Sequence, residues 1–159
     1  MNQVRTDILV LGSGIAGLTL ALRCAEWADV VIVTKKGRSE SNTNYAQGGI
    51  ASVLAADDSL DLHVRDTLVA GDGLCHMDAV RAVVEEGPAL VRQLLEMGVP
   101  FDRDDVGDLA LGREGGHSRR RIVHAADQTG RAVEQTLLAA VAASPNIRMF
   151  ENHVAIDLL

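Results

Sequence analysis

Asp7-Ile8-Leu9-Val10-Leu11-Gly12-Ser13-Gly14-Ile15-Ala16-Gly17 carries an apolar strand into a G-x-G-x-x-G turn, and a long apolar helix is predicted to follow over Leu18 to Ala28. In such a turn Gly12 permits the tight bend, Gly14 lets a pyrophosphate approach the backbone, and Gly17 lets the helix pack close to the strand. The free N–H groups and positive dipole end of the helix then face the phosphates.

Working outward, a second strand over Asp29 to Thr34 closes a βαβ unit, the start of a parallel sheet. Its tip normally holds an acid for the ribose hydroxyls, but here Val31-Ile32-Val33-Thr34 runs into Lys35-Lys36. Taken locally, the lysines fit either a 2′-phosphate, as in an NADP enzyme, or a solvated loop.

The 159 residues are 47% hydrophobic and 23% charged, enough for about one globular domain with its own core. Only 3% are aromatic, so the core must be built from Ala, Val, Leu and Ile, as in helix-covered parallel sheets. A formal charge of -7, with Arg119-Arg120-Arg121 as the one basic run, argues against a nucleic-acid partner. No apolar run is long enough to span a bilayer and no signal segment opens the chain, so a cytoplasmic protein is expected. Cys24 and Cys75 lack metal-ligand spacing and are expected to be reduced thiols.

A polar loop from Gly37 to Gly49 follows the second strand, on the side of the sheet where α/β folds place ligand contacts. Asp58 or Ser59 is expected to cap a helix through Ala70, stopped by Gly71 to Gly73. Met77 to Glu86 reads as a further helix, and Pro88 as the first turn of another that ends at Gly98. A long loop over Asp102 to Arg121, a helix over Thr129 to Ala143, and strands over Ile147 to Phe150 and Val154 to Leu159 complete the pattern. The last strand stops in mid-pattern, which reads as part of a longer protein.

Chemistry concentrates in Arg113-Glu114-Gly115-Gly116-His117-Ser118-Arg119-Arg120-Arg121. Arginines fork onto carboxylates and Glu114 suits an ammonium group, which together describe a pocket for an amino dicarboxylic acid. The competing reading is a solvated loop whose charges pair among themselves. His63, His76, His117, His124 and His153 show no metal spacing, and no hydrolase, metalloprotease or P-loop motif occurs.

Tyr45-Ala46-Gln47-Gly48-Gly49-Ile50-Ala51, Asp66-Thr67-Leu68-Val69-Ala70-Gly71, the Arg113 to Ser118 stretch and His124-Ala125-Ala126-Asp127-Gln128-Thr129-Gly130 occur together in this order. As a set they resemble the succinate dehydrogenase and fumarate reductase flavoprotein superfamily and, within it, the L-aspartate oxidase family, nearly end to end. The resemblance implies an α/β, Rossmann-like FAD-binding domain over residues 1–159, incomplete at its C-terminus, with the capping domain and helical region absent.

It further implies FAD held by Gly12, Ser13, Gly14, Ile15, Ala16, Gly17 and Lys35, with Asn42, Thr43, Asn44, Tyr45, Ala46, Gln47, Gly48 and Gly49 along the cofactor. Lys35 at the strand tip is then the family's own choice. The implied reaction is hydride transfer from L-aspartate to FAD, giving iminoaspartate, with dioxygen or fumarate as acceptor. Its product would feed quinolinate formation in de novo NAD synthesis, a functional link to quinolinate synthase. Asn42 stands where succinate dehydrogenases carry the flavin-linking histidine, so FAD is expected to be non-covalent. Glu114 is the expected recognition group for the substrate ammonium, whereas the Arg and His groups for both carboxylates and the catalytic base are expected beyond Leu159, so little turnover is expected from residues 1–159 alone. Alternatives are a fumarate reductase or succinate dehydrogenase-type flavoprotein, or a non-catalytic nucleotide-binding fragment.

Overall fold

The structure, a computed structural model, describes residues 3–157. The chain forms two compact units. The first holds residues up to Ala46 and those from Gly130 onward, and the second runs from Gln47 to Thr129.

In the first unit, β1 (Ile8–Leu11), β2 (Val30–Val33) and β5 (Ile147–Phe150) form a parallel sheet in the order β1-β2-β5. Ile8 is in register with Val30, and Val30 with Ile147. Central β2 reads Val-Val-Ile-Val because it is flanked on both edges, and Val30, Val31 and Ile32 are all buried. In β1 the alternation shows directly: Val10 is buried, while Leu9 and Leu11 on the opposite face are half exposed.

Helix α1 (Ile15–Cys24) starts earlier and stops sooner than the apolar pattern predicts. Its start is set by the turn, because Gly14 is the N-cap and the motif's third glycine lies inside the first helical turn. A Cβ on Gly17 would sit 2.2 Å from the Gly12 carbonyl oxygen, so this contact between helix and turn is open to glycine alone. Gly12 itself has φ +108°, which a side chain would strain. Helix α4 (Thr129–Ala143) carries its buried stripe on Val133, Leu137 and Val141.

The second unit contains α2 (Leu60–Ala70), α3 (Met77–Glu96) and an antiparallel pair of two-residue strands, β3 (Ile50–Ala51) and β4 (Ile122–Val123). Ser59 caps α2 as expected, its hydroxyl accepting the Leu62 N–H at 3.2 Å. The break expected before Pro88 is absent: α3 runs through Pro88 as a single helix of 20 residues. The preceding residue is Gly87, and without a Cβ it escapes the clash that drives a pre-proline residue out of the helical region. The strand expected over Val154 to Leu159 is also absent. Beyond the Glu151-Asn152 turn, residues 153–157 take no strand pairing, and Leu158 and Leu159 lie outside the described residues.

Candidate functional site

At the carboxyl ends of β1 and β2 the first unit holds a groove of about 430 Å³, the place where open α/β sheets bind ligands. Gly12, Ser13, Gly14, Lys35, Asn42 and Thr43 all line it. Ser13 is buried and its hydroxyl lies 3.1 Å from that of Thr34, which ties the glycine turn to the tip of β2. Helix α1 has no side-chain cap at Gly14 and no acid in its first turn, so its own residues leave its positive end open to an anion. The Ile15 N–H donates to the Thr43 hydroxyl at 3.1 Å, joining that end to the polar loop. Lys35 is exposed on the groove wall, so the cationic strand tip faces the same space.

The loop is a stack of local turns. The Thr43 and Asn44 N–H groups donate to the Ser41 hydroxyl, at 3.1 and 3.4 Å, and the Ser41 hydroxyl donates to Glu134 of α4. Tyr45 is exposed, its hydroxyl donating to Glu40 at 2.9 Å; that bond and the charge of Glu40 hold the phenol above its ordinary pKa. The Gly130 N–H donates to the Ala46 carbonyl at 3.0 Å, and a Cβ on Gly130 would lie 2.0 Å from the Thr43 carbonyl oxygen.

The second unit is organised around a buried cation. Arg121 is fully buried and forks onto both oxygens of Asp58, at 2.7 and 2.8 Å, with a third bond to Asp66 at 2.7 Å. Burial opposes ionisation of Asp66, but the Ser118 N–H and hydroxyl, each at 2.8 Å, and the Arg121 charge outweigh it and lower its pKa from 3.8 to about 2. Burial acts the same way on Asp58, where the Arg121 fork and the Ser59 N–H again win and lower its pKa. His63 packs edge-on to His117 with ring centroids 5.5 Å apart, and burial, helped by the Arg121 and His117 charges, favours its neutral form.

The arginine-rich loop therefore divides. Arg121 is consumed inside the unit, whereas Arg113, Arg119 and Arg120 line a cavity of about 790 Å³ together with His124. His124 is oriented by Asp102, whose carboxylate accepts from its Nδ1 at 2.8 Å. Glu114 is exposed, with no side-chain hydrogen bond among the described residues, and it lines neither this cavity nor one of about 540 Å³ bounded by Gly115, Gly116 and His117. The expected meeting of Glu114 with four arginines is thus reduced to three arginines in one cavity and a carboxylate outside it.

Residues 7–159 match the FAD binding domain family. The chain belongs to that family. This FAD-binding domain is 54% identical over 153 residues to L-aspartate oxidase 2-b of Nicotiana tabacum, covering 96% of the chain and 24% of the relative. L-aspartate oxidase of Vibrio cholerae is 48% identical over 163 residues, covering 99% of the chain and 30% of the relative. Among solved structures, a variant of E. coli quinol fumarate reductase superposes with a TM-score of 0.90 at 33% identity, over 96% of the chain and 26% of that structure. The chain therefore spans under a third of the length of these relatives.

FAD fits what the first unit offers. The glycine turn, the uncapped start of α1 and the Lys35 wall suit a pyrophosphate, and the 42–46 loop, with Asn42, Tyr45 and Ala46 exposed, suits the rest of a dinucleotide. Of the residues expected at the cofactor, Gln47, Gly48 and Gly49 fall in the second unit. Ser41 and Glu40, inside the polar loop expected to meet a ligand, line the groove as well. Two groups escaped the sequence reading: His153, which also lines the groove, and Glu134. Glu134 is buried behind the loop; its one signal in the sequence is an acid on the apolar stripe of α4, beside Val133 and Leu137.

Proposed function

We propose that this FAD-binding domain belongs to an L-aspartate oxidase, which oxidises L-aspartate to iminoaspartate. The observation that carries the reading is the 54% identity to the tobacco L-aspartate oxidase, set against 33% to the fumarate reductase. FAD held by the glycine turn and Lys35 would supply the two-electron acceptor for the hydride of the substrate Cα, with dioxygen or fumarate as the terminal acceptor. The chain's own part is to hold the cofactor and present the substrate.

In this reading the start of α1, Ser13 and Lys35 hold the pyrophosphate, and the 42–49 segment lies along the rest of the cofactor, non-covalently, with Asn42 offering no nucleophile. Glu114 receives the substrate α-ammonium, separating aspartate from succinate. Loss of one ammonium proton accompanies the C–H cleavage, so that C=N forms as the hydride leaves. The product supplies quinolinate formation in NAD synthesis, a link to quinolinate synthase. Two free thiols, Cys24 and Cys75, suit a reducing compartment such as the cytoplasm; the tobacco relative is named as chloroplastic. Among the described residues no helix is long and apolar enough to cross a membrane.

The test is the anaerobic visible spectrum of the FAD-reconstituted full-length enzyme, with Glu114→Gln alongside. Expected are bleaching by L-aspartate but not succinate, and an aspartate kcat/KM lowered by about 10–100-fold in the variant. Bleaching by succinate would favour the fumarate reductase reading, and an unchanged kcat/KM would remove Glu114 from ammonium recognition.

A further inference from the structure

Behind one wall of the groove lies a buried carboxyl. Glu134 is fully buried, and its Oε1 accepts the Ser41 hydroxyl. The direction of that bond is fixed by counting hydrogens. The Ser41 oxygen already accepts the Thr43 and Asn44 N–H groups, so its one hydrogen is left for the carboxyl. From there the chain of bonds continues through Thr43, whose hydroxyl accepts the Ile15 N–H at the start of α1. Three hydrogen-bond steps thus connect a core carboxyl to the helix end that faces the pyrophosphate.

Helix α4 meets this loop twice. Gly130 and Glu134 are four residues apart and share a face, one at the close approach to Thr43 and Ala46, the other at Ser41. Without its carboxyl, position 134 would continue the apolar stripe. The second oxygen of Glu134, Oε2, has no hydrogen-bond partner among the described residues. A buried carboxyl with half its capacity unmet is a liability for stability, and an apolar side chain of similar volume would remove it. What the carboxyl uniquely contributes is the bond to the loop.

We infer that Glu134 is a positioning residue for the FAD site, holding the Ser41–Asn44 turn, and through it Thr43, in the shape that meets the cofactor at the start of α1. This rests on the reading of the groove as the FAD site. Burial favours the neutral carboxyl, against the Ser41 bond and with the help of the Glu40 charge. The bond survives in either protonation state, because Oε1 accepts in both.

The test compares wild-type protein with Glu134→Leu and Glu134→Gln in three measurements: FAD affinity by titration, amide exchange at Thr43 and Asn44, and the urea midpoint. Glu134→Leu should bind FAD about tenfold more weakly and exchange those two amides faster, with a midpoint equal to wild type or higher. Glu134→Gln keeps an acceptor oxygen and should stay within about twofold of wild type in affinity. Unchanged affinity in Glu134→Leu, or affinity lost only together with the urea midpoint, would overturn the assignment. Wild-type protein that binds no FAD, while Glu134→Leu still frees the two amides, would instead overturn the cofactor reading of the groove and leave the anchor standing.

Discussion

The first unit is held by a repeating backbone arrangement, parallel strands with α1 over one face, whereas the second has only two-residue strands and is organised around Arg121, Asp58 and Asp66. The difference teaches where each unit is vulnerable. A sheet core spreads its stabilisation over many apolar contacts, and the second unit has such contacts too, in Val64, Val84, Val91 and Val123, but it adds a buried ion triad whose charges must all remain compensated.

The most severe way to break the second unit is to remove its cation. Arg121→Met leaves the buried Asp58 carboxylate with the Ser59 N–H but no counter-charge, and a loss of about 3–5 kcal/mol in urea unfolding is expected, with the 47–129 amides exchanging first. A loss below about 1 kcal/mol would show that the triad is dispensable. Replacing Arg121, Asp58 and Asp66 together by apolar residues should restore much of the stability, because no charge is then stranded.

Acid should separate the units with opposite signs. The folded pKa of Asp66, about 2, lies below its ordinary 3.8. Its contribution is therefore complete above the unfolded value and is lost as pH falls toward the folded one, by about 2 kcal/mol. Glu134 is shifted upward, so its contribution is present at low pH and declines as pH rises through its folded pKa. Hydrogen exchange between pH 4 and 2, on the order of the interval spanned by Asp66, should show protection falling in 47–129 and not around Glu134. Parallel loss in both units would contradict this division.

The smallest global effect belongs to the turn of the first unit. In Gly17→Ala the new Cβ meets the Gly12 carbonyl oxygen, a backbone atom that cannot swing aside, and about 1–3 kcal/mol of stability should be lost. That carbonyl belongs to the phosphate turn, so FAD affinity should fall further than stability does. Affinity and stability falling in step would mean that the turn is scaffold only.

Legibility followed the range of the interactions. β1, the glycine turn, β2 and the Ser59 cap are local events, written within a few consecutive residues, and the sequence reading placed them. Arg121 bonds Asp58 and Asp66 across 63 and 55 residues, and Ser41 bonds Glu134 across 93, so no local pattern could pair them. Pro88 misled because the glycine before it, lacking a Cβ, lessens the usual steric penalty. β3 and β4 are too short to show an alternation at all. The arginine-rich loop was recognised as chemically dense, but which arginine turned inward was decided by carboxylates on a distant helix and the loop before it.

The pairing of β2 with β5 bears on how the protein is made. Val30 finds its neighbour Ile147 only after the whole of the second unit has been translated. As the chain leaves the ribosome, β1, α1 and β2 emerge with one long edge of β2 bare, while residues 47–129 are contiguous and can close first. The cofactor groove is thus completed only after the second unit: α4 and β5, which supply Glu134 and the second flank of β2, follow residues 47–129 in the chain. FAD capture therefore waits on a long-range strand pairing, a kind of contact that is slow to form.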